Sequence, residues 1–239
     1  MKVLEFINVS KNFCHNDEVI EVLDEISFNI NEGEIVAIVG PSGAGKSTIL
    51  NLIANLIEPT TGTVNTNGSI GYMFQRDCLF DWRTIYKNIT LGLEIKKDNS
   101  FDSLKRVDRM LEEYGLDEFK HSFPFQLSGG MRQRAALIRT LAVNPDILLL
   151  DEPFAALDYQ TKLKVSNDIY NIIKKEYKTT IMVTHDISEA IRYGCPSLRG
   201  QLECKSCLPL KCFLPDLSSS HTTENIRQHY ICQRKKREF

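Results

Sequence analysis

Apolar and polar positions alternate from Val3 to Val9, from Val19 to Leu23 and again from Ile26 to Ile30. A period of two residues puts one face of each segment against a core and the other in water, which predicts strands of an antiparallel layer. After the turn-forming Asn31-Glu32-Gly33 the pattern changes. Ile35-Val36-Ala37-Ile38-Val39 is apolar at every position, as expected of a parallel strand covered on both faces. Ile147 to Leu150 and Ile181 to Val183 repeat that pattern. Helical stretches separate them: Leu104, Val107 and Leu111 stand at i, i+3 and i+7 within Asp102 to Tyr114, and Lys162 to Tyr177 also reads as helix. Parallel strands alternating with helices predict an α/β core.

Composition narrows the class. The 239 residues, 42% hydrophobic and 25% charged, suit one large domain or two small ones. With 29 Lys plus Arg against 31 Asp plus Glu, the formal charge of −2 argues against holding nucleic acid by bulk charge, so no nucleic-acid partner is expected. The longest apolar run, Ile35 to Val39, is far short of the ~20 residues of a membrane-spanning helix. Met1 to Phe6 alternates and carries an early acid, unlike a secretory signal, so a cytosolic setting is expected. Of the seven cysteines, Cys195, Cys204, Cys207, Cys212 and Cys232 crowd the last part of the chain.

The first buried strand runs directly into Gly40-Pro41-Ser42-Gly43-Ala44-Gly45-Lys46-Ser47-Thr48, followed by the apolar stretch Ile49 to Ala54. Strand, glycine-rich loop and helix in that order form a phosphate-binding unit. The glycines let backbone N–H groups turn toward an anion, and the helix N-terminus adds partial positive charge. Lys46 supplies a full charge to the outer phosphates, and the Ser47 hydroxyl is placed for Mg²⁺. Ile147 to Leu150 ends in Asp151-Glu152-Pro153. Ligands of such sheets bind at the carboxyl edge of the strands, which predicts Asp151 as a Mg²⁺ partner and Glu152 as the group that orients the water attacking a γ-phosphate. A second anion-facing helix start is expected at Ser128-Gly129-Gly130, with Met131, Ala135, Ile138 and Ala142 on one face of the helix that follows.

Taken together, Gly40 to Thr48, Leu127 to Arg134 and Ile147 to Pro153 resemble the ATP-binding cassette (ABC) family, whose signature is the Leu-Ser-Gly-Gly segment. The resemblance implies a P-loop NTPase core with a mostly parallel sheet, an N-terminal antiparallel β layer and a helical signature subdomain at about residues 85–140, all within residues 1–191. It implies that Phe13 stacks on adenine and that Gln75 joins Mg²⁺ and a membrane partner to the nucleotide. It implies too that Asp158, after Ala156-Leu157, touches the opposite subunit and that His185 contacts the γ-phosphate. ATP and Mg²⁺ are the implied cofactors. Two copies would pair head to tail, so that Ser128, Gly129, Gly130 and Asp158 of one complete the ATP site of the other.

Within the family, the short spacing between phosphate loop and signature excludes long coiled-coil arms, and a single loop and signature exclude a fused pair. Met73 to Ile89 resembles the corresponding stretch of nitrate, sulfonate and taurine importer ATPases, with Asp81 where Pro is usual. Trp82 and Arg83 would then help form the groove for a helix of an integral membrane permease. A periplasmic or lipid-anchored solute-binding protein is implied indirectly, and the place of work is the cytoplasmic face of the cell membrane. The substrate stays open among sulfonate, taurine, nitrate and thiamine-precursor pyrimidines, and the alternative is a soluble cassette ATPase without a permease.

Resemblance stops soon after Ile191. No apolar run longer than three residues follows, so the family's last strands are expected to be missing. Residues 192–239 read as a divergent tail, a metal site or out-of-frame translation. Cys204, Cys207 and Cys212, with His221 or Cys232, could hold zinc, and Arg234 to Arg237 could meet an anionic partner.

Overall fold

In this computed structural model, residues 1–15, 18–155, 157–186, 189 and 210–213 are described. The alternating segments form two 14-residue strands, β1 (Lys2–His15) and β2 (Glu18–Asn31), paired antiparallel. Val19 to Leu23 and Ile26 to Ile30, expected as separate strands, are one strand. The interruption between them is an irregularity at Glu25, whose φ is 41°, opposite the register shifts of β1. A third strand, β4 (Thr61–Thr66), pairs with the other edge of β1, giving the order β2-β1-β4.

The second sheet is parallel throughout: β5 (Ile70–Met73), β6 (Ile147–Asp151), β7 (Thr179–Thr184), β3 (Ile35–Val39) and β8 (Leu210–Phe213), in that order. The apolar runs within its strands are explained by two cores. Val36, Ile38, Ile147, Leu149, Ile181 and Val183 face the antiparallel layer together with helix α1 (Lys46–Ile53). Ile35, Ala37, Val39, Leu148, Leu150 and Met182 face helices α4 (Phe101–Glu113), α5 (Gly129–Ala142) and α6 (Tyr159–Lys175). Neither face meets water, so the strand centres are apolar, and the buried Thr179 and Thr180 of β7 have their hydroxyls hydrogen-bonded, to the Gly33 N–H and the Lys178 carbonyl.

Residues 85–142 carry the helical subdomain: the short α2 (Ile85–Ile89) and α3 (Leu91–Lys96), then α4 and α5. The starts of α4, α5 and α6 are capped by Ser100, Ser128 and Asp158, each accepting a backbone N–H from the first turn. None of the helices among the described residues is long and apolar enough to cross a membrane.

The expectation that no strand follows residue 191 is not met. Leu210 to Phe213 lies parallel to β3, with Leu210 opposite Ile35 and Phe213 opposite Ile38. Four residues suffice because an edge strand needs pairing on one side only, and apolar length is a poor signal for so short an element. Cys195, Cys204, Cys207, Cys232, His221 and Arg234 to Arg237 lie outside the described residues, as does the side chain of Cys212.

Candidate nucleotide-binding site

The strand β3 ends at Gly40, whose N–H donates to the Thr184 carbonyl of β7, so the loop leaves the sheet from a fixed point. Gly45 closes the loop with φ 78° and caps α1. A Cβ there would stand 2.9 Å from Leu23 Cδ2 and 3.1 Å from the Val22 carbonyl, so the antiparallel layer leaves room only for glycine. Lys46, only 5% exposed, folds back under the loop. Its Nζ donates to the carbonyls of Gly40 at 3.0 Å and Pro41 at 2.9 Å. Pro41, Ser42, Gly43 and Ser47 face solvent, while Ala44 and Thr48 are half-buried.

The carboxyl end of β6 meets this loop. Ser47 Oγ donates to Asp151 Oδ1 at 3.1 Å, and the Tyr72 hydroxyl of β5 is 3.3 Å from Asp151 Oδ2. Burial raises the Asp151 pKa, with the neighbouring Glu152 charge adding to it and the Ser47 and Tyr72 hydrogen bonds opposing it. Burial, then the Asp151 charge, pushes the Tyr72 phenol above its ordinary value.

Glu152 adopts φ 43°, a conformation that costs a non-glycine residue free energy, while its N–H donates to the Val183 carbonyl at 3.0 Å. One carboxylate oxygen stands 3.4 Å from Lys46 Nζ and the other 3.0 Å from His185 Nδ1. The five residues Lys46, Ser47, Asp151, Glu152 and His185, drawn from α1, β6 and the end of β7, therefore converge on one edge of the sheet. Gln75 joins that edge by topology: Met73 is opposite Leu150 in a parallel pair, so the exposed Gln75 leaves beside Asp151. Phe13, 40% exposed with Lys11 Nζ 5.0 Å from its ring centre, lies on β1. Its near neighbour Lys11 is opposite Leu23, which packs at Gly45.

The predicted opposite-subunit contacts lie at two helix starts. Ser128 and Asp158 are occupied as helix caps, and Gly129 and Gly130 open α5 against α6. A Cβ on Gly130 would lie 2.6 Å from Val165 Cγ2. Packing thus requires this glycine, independently of any anion at the turn.

Three further residues went unnoticed in the sequence. Tyr72 reaches Asp151. Lys162 of α6 brackets the segment after His185, 3.0 Å from Asp186 Oδ2 and 2.6 Å from Glu189 Oε1. Asn88, fully buried in α2, donates to the Phe80, Arg83 and Thr84 carbonyls and accepts the Phe80 N–H. Of these only Asn88 left a sequence signal, a polar residue between the apolar Ile85 and Ile89.

A glycine-bounded loop cradling a buried lysine, beside a strand-end Asp-Glu pair and a histidine, defines a P-loop cassette that binds and hydrolyses ATP. The chain belongs to the ABC transporter family, whose model matches residues 23–155. It is 44% identical over 199 residues to an uncharacterised ABC transporter ATP-binding protein, YtlC, of Bacillus subtilis (strain 168), covering 80% of this chain and 76% of that protein. It is 37% identical over 203 residues to the taurine import ATP-binding protein TauB of Jannaschia sp. (strain CCS1), covering 81% and 76%. The dimeric structure of a bacterial ABC transporter cassette, MJ0796, superposes with a TM-score of 0.68 at 37% identity, covering 80% of this chain and 91% of that one.

Proposed function

We propose that this chain is the ATP-hydrolysing subunit of an importer for a small solute of the nitrate, sulfonate or taurine kind. It would work as a head-to-tail dimer on a separate membrane permease, at the cytoplasmic face of the membrane. A solute-binding protein would serve the same permease from the other side. The observation that carries the coupling part is Trp82. It is 76% exposed and its ring rests on Phe80, at a centroid distance of 4.8 Å, on a turn that the four hydrogen bonds of buried Asn88 hold in shape. A large aromatic presented on a rigid turn beside the Gln75 segment suits a helix of a partner protein. The taurine-import relative supports the importer reading, and the soluble alternative has no observation in its favour.

The residues present fit Mg²⁺. Ser47 Oγ, Asp151 Oδ1 and the Gln75 side chain offer the oxygen donors a hard cation takes, and Ser47 already contacts Asp151. When bound, the ion draws charge from the outer phosphate oxygens. Lys46 Nζ, held at the mouth of the loop, is aimed by two carbonyls at the same phosphates and would balance their charge in the transition state. Glu152 takes the attacking water's proton, and its carboxylate is oriented for that by His185 on one oxygen and Lys46 on the other. In the assembled pair, Ser128 to Gly130 and Asp158 would face the partner's nucleotide, and Phe13 would stack on adenine.

Membrane extraction with the tagged chain as bait tests the importer reading. Recovery of a multispanning protein with the wild type, and its loss with Trp82→Ala at unchanged ATP affinity, is the expected result. An ATPase that leaves no membrane protein on the resin in either form would sink it.

A further inference from the structure

We infer that Tyr72 is a positioning residue for the metal-binding end of this site, its hydroxyl fixing the Asp151 carboxylate for the cation. The inference rests on the reading of Asp151 as a Mg²⁺ group. Asp151 is gripped at both oxygens from two different elements: Ser47 of α1 donates to Oδ1 at 3.1 Å, and the Tyr72 hydroxyl of β5 lies 3.3 Å from Oδ2. A carboxylate held at one oxygen swings about its Cβ–Cγ bond; one held at both is fixed. Tyr72 therefore decides which way the second lone-pair edge faces, with Oδ1 kept beside the Ser47 hydroxyl.

The phenol is itself held. Its hydroxyl also donates toward Asn51 Oδ1 on α1, at 3.2 Å. A phenol has one proton to give, and here two oxygen acceptors face it. The hydroxyl proton lies between Asn51 Oδ1 and Asp151 Oδ2, so the phenol ties α1 to the strand end. The ring has a second task. It stacks on Phe74 with centroids 4.4 Å apart and planes 22° from parallel, and Phe74 immediately precedes Gln75. One side chain thus sets the register of two of the three predicted metal-binding residues.

The experiment titrates Mg²⁺ against binding of a fluorescent ATP analogue, and separately against turnover, in the full chain carrying Y72F, Y72L or D151N. Y72F keeps the ring and its stack and removes only the hydroxyl. It is expected to raise half-saturating Mg²⁺ about three- to tenfold, the scale of one net hydrogen bond. Metal-free nucleotide affinity and turnover at saturating Mg²⁺ should stay within about twofold. Y72L, which also loses the stack, should shift the curve further. A Y72F curve that superimposes on the wild type while D151N shifts overturns the role of Tyr72. A D151N curve that does not shift overturns the metal reading of Asp151 and the inference with it. A merely structural tyrosine would lower melting temperature in Y72F without moving the Mg²⁺ midpoint.

Discussion

Asp77, two residues past Gln75, and Arg132, in the first turn of α5, are joined by a two-point bond: Arg132 Nε donates to Asp77 Oδ2 at 2.8 Å and Nη2 to Oδ1 at 3.1 Å. Arg139, two turns along the same helix, donates to the Cys78 carbonyl at 2.6 Å and the Asp77 carbonyl at 2.7 Å. The segment after Gln75 is therefore fastened to the helix that begins at the Ser-Gly-Gly turn. Burial works to raise the Asp77 pKa, but the Arg132 bonds and the Leu79 N–H outweigh it and hold the carboxyl below its ordinary value. A depressed pKa stabilises the fold above the ordinary carboxylate range and stops doing so as pH falls through the folded value. Asp77→Asn should lose about 1 kcal/mol at neutral pH, and the gap to wild type should close below pH ~4, which paired denaturant melts at two pH values would read.

Gly130 separates packing from anion binding. Gly130→Ala drives a methyl into Val165 and should destabilise the chain by roughly 1–3 kcal/mol. Adding Val165→Ala makes room, so the double variant should recover most of the lost melting temperature. If the glycine also serves a partner's phosphate, its ATPase rate will stay low after stability has returned.

Asn88 makes four hydrogen bonds with no exposure to water. Asn88→Ala takes the partner from the Phe80 N–H and the Arg83 carbonyl, while the Phe80 and Thr84 carbonyls keep their backbone donors, at a cost of about 1–3 kcal/mol. Because the turn they shape carries Trp82, its fluorescence should shift at temperatures well below the melt. Intact emission with only a lowered melting temperature would mean that the turn holds itself.

Substitutions at Lys46 and Glu152 test the proposed division of binding from chemistry. Lys46→Ala removes the buried charge at the loop and should weaken ATP affinity at least about a hundredfold. Glu152→Gln keeps the shape but cannot take a proton. Turnover should drop by a factor of about 10² to 10⁴ while ATP still binds, and a nucleotide-dependent dimer should accumulate on gel filtration. Wild-type turnover in Glu152→Gln would reassign the base.

The parts legible in the sequence were those written in local pattern. Ile35 to Val39, Ile147 to Leu150 and Ile181 to Val183 announce a buried sheet because each position must be apolar when both faces are covered. The loop at Gly40 to Thr48 and the capped start of α5 at Ser128 are likewise local. What escaped depends on distance in the chain. Tyr72 and Asp151 are 79 positions apart and Asp77 and Arg132 are 55 apart, and nothing in either neighbourhood names the partner. The bulged β2 was misread as two strands because a bulge breaks the period of two without ending the pairing.

The four residues of β8 occupy the outer side of β3, the strand that delivers the chain to the phosphate loop. Remove them and Ile35 to Ile38 become a sheet margin, with a row of bare amides and carbonyls flanked by apolar side chains, the template on which a second chain adds itself. A protein cut after residue 191 would keep the phosphate loop, Asp151, Glu152 and His185 and still be prone to polymerise. Leu210 to Phe213 thus close the seam at which the sheet would otherwise recruit copies of itself.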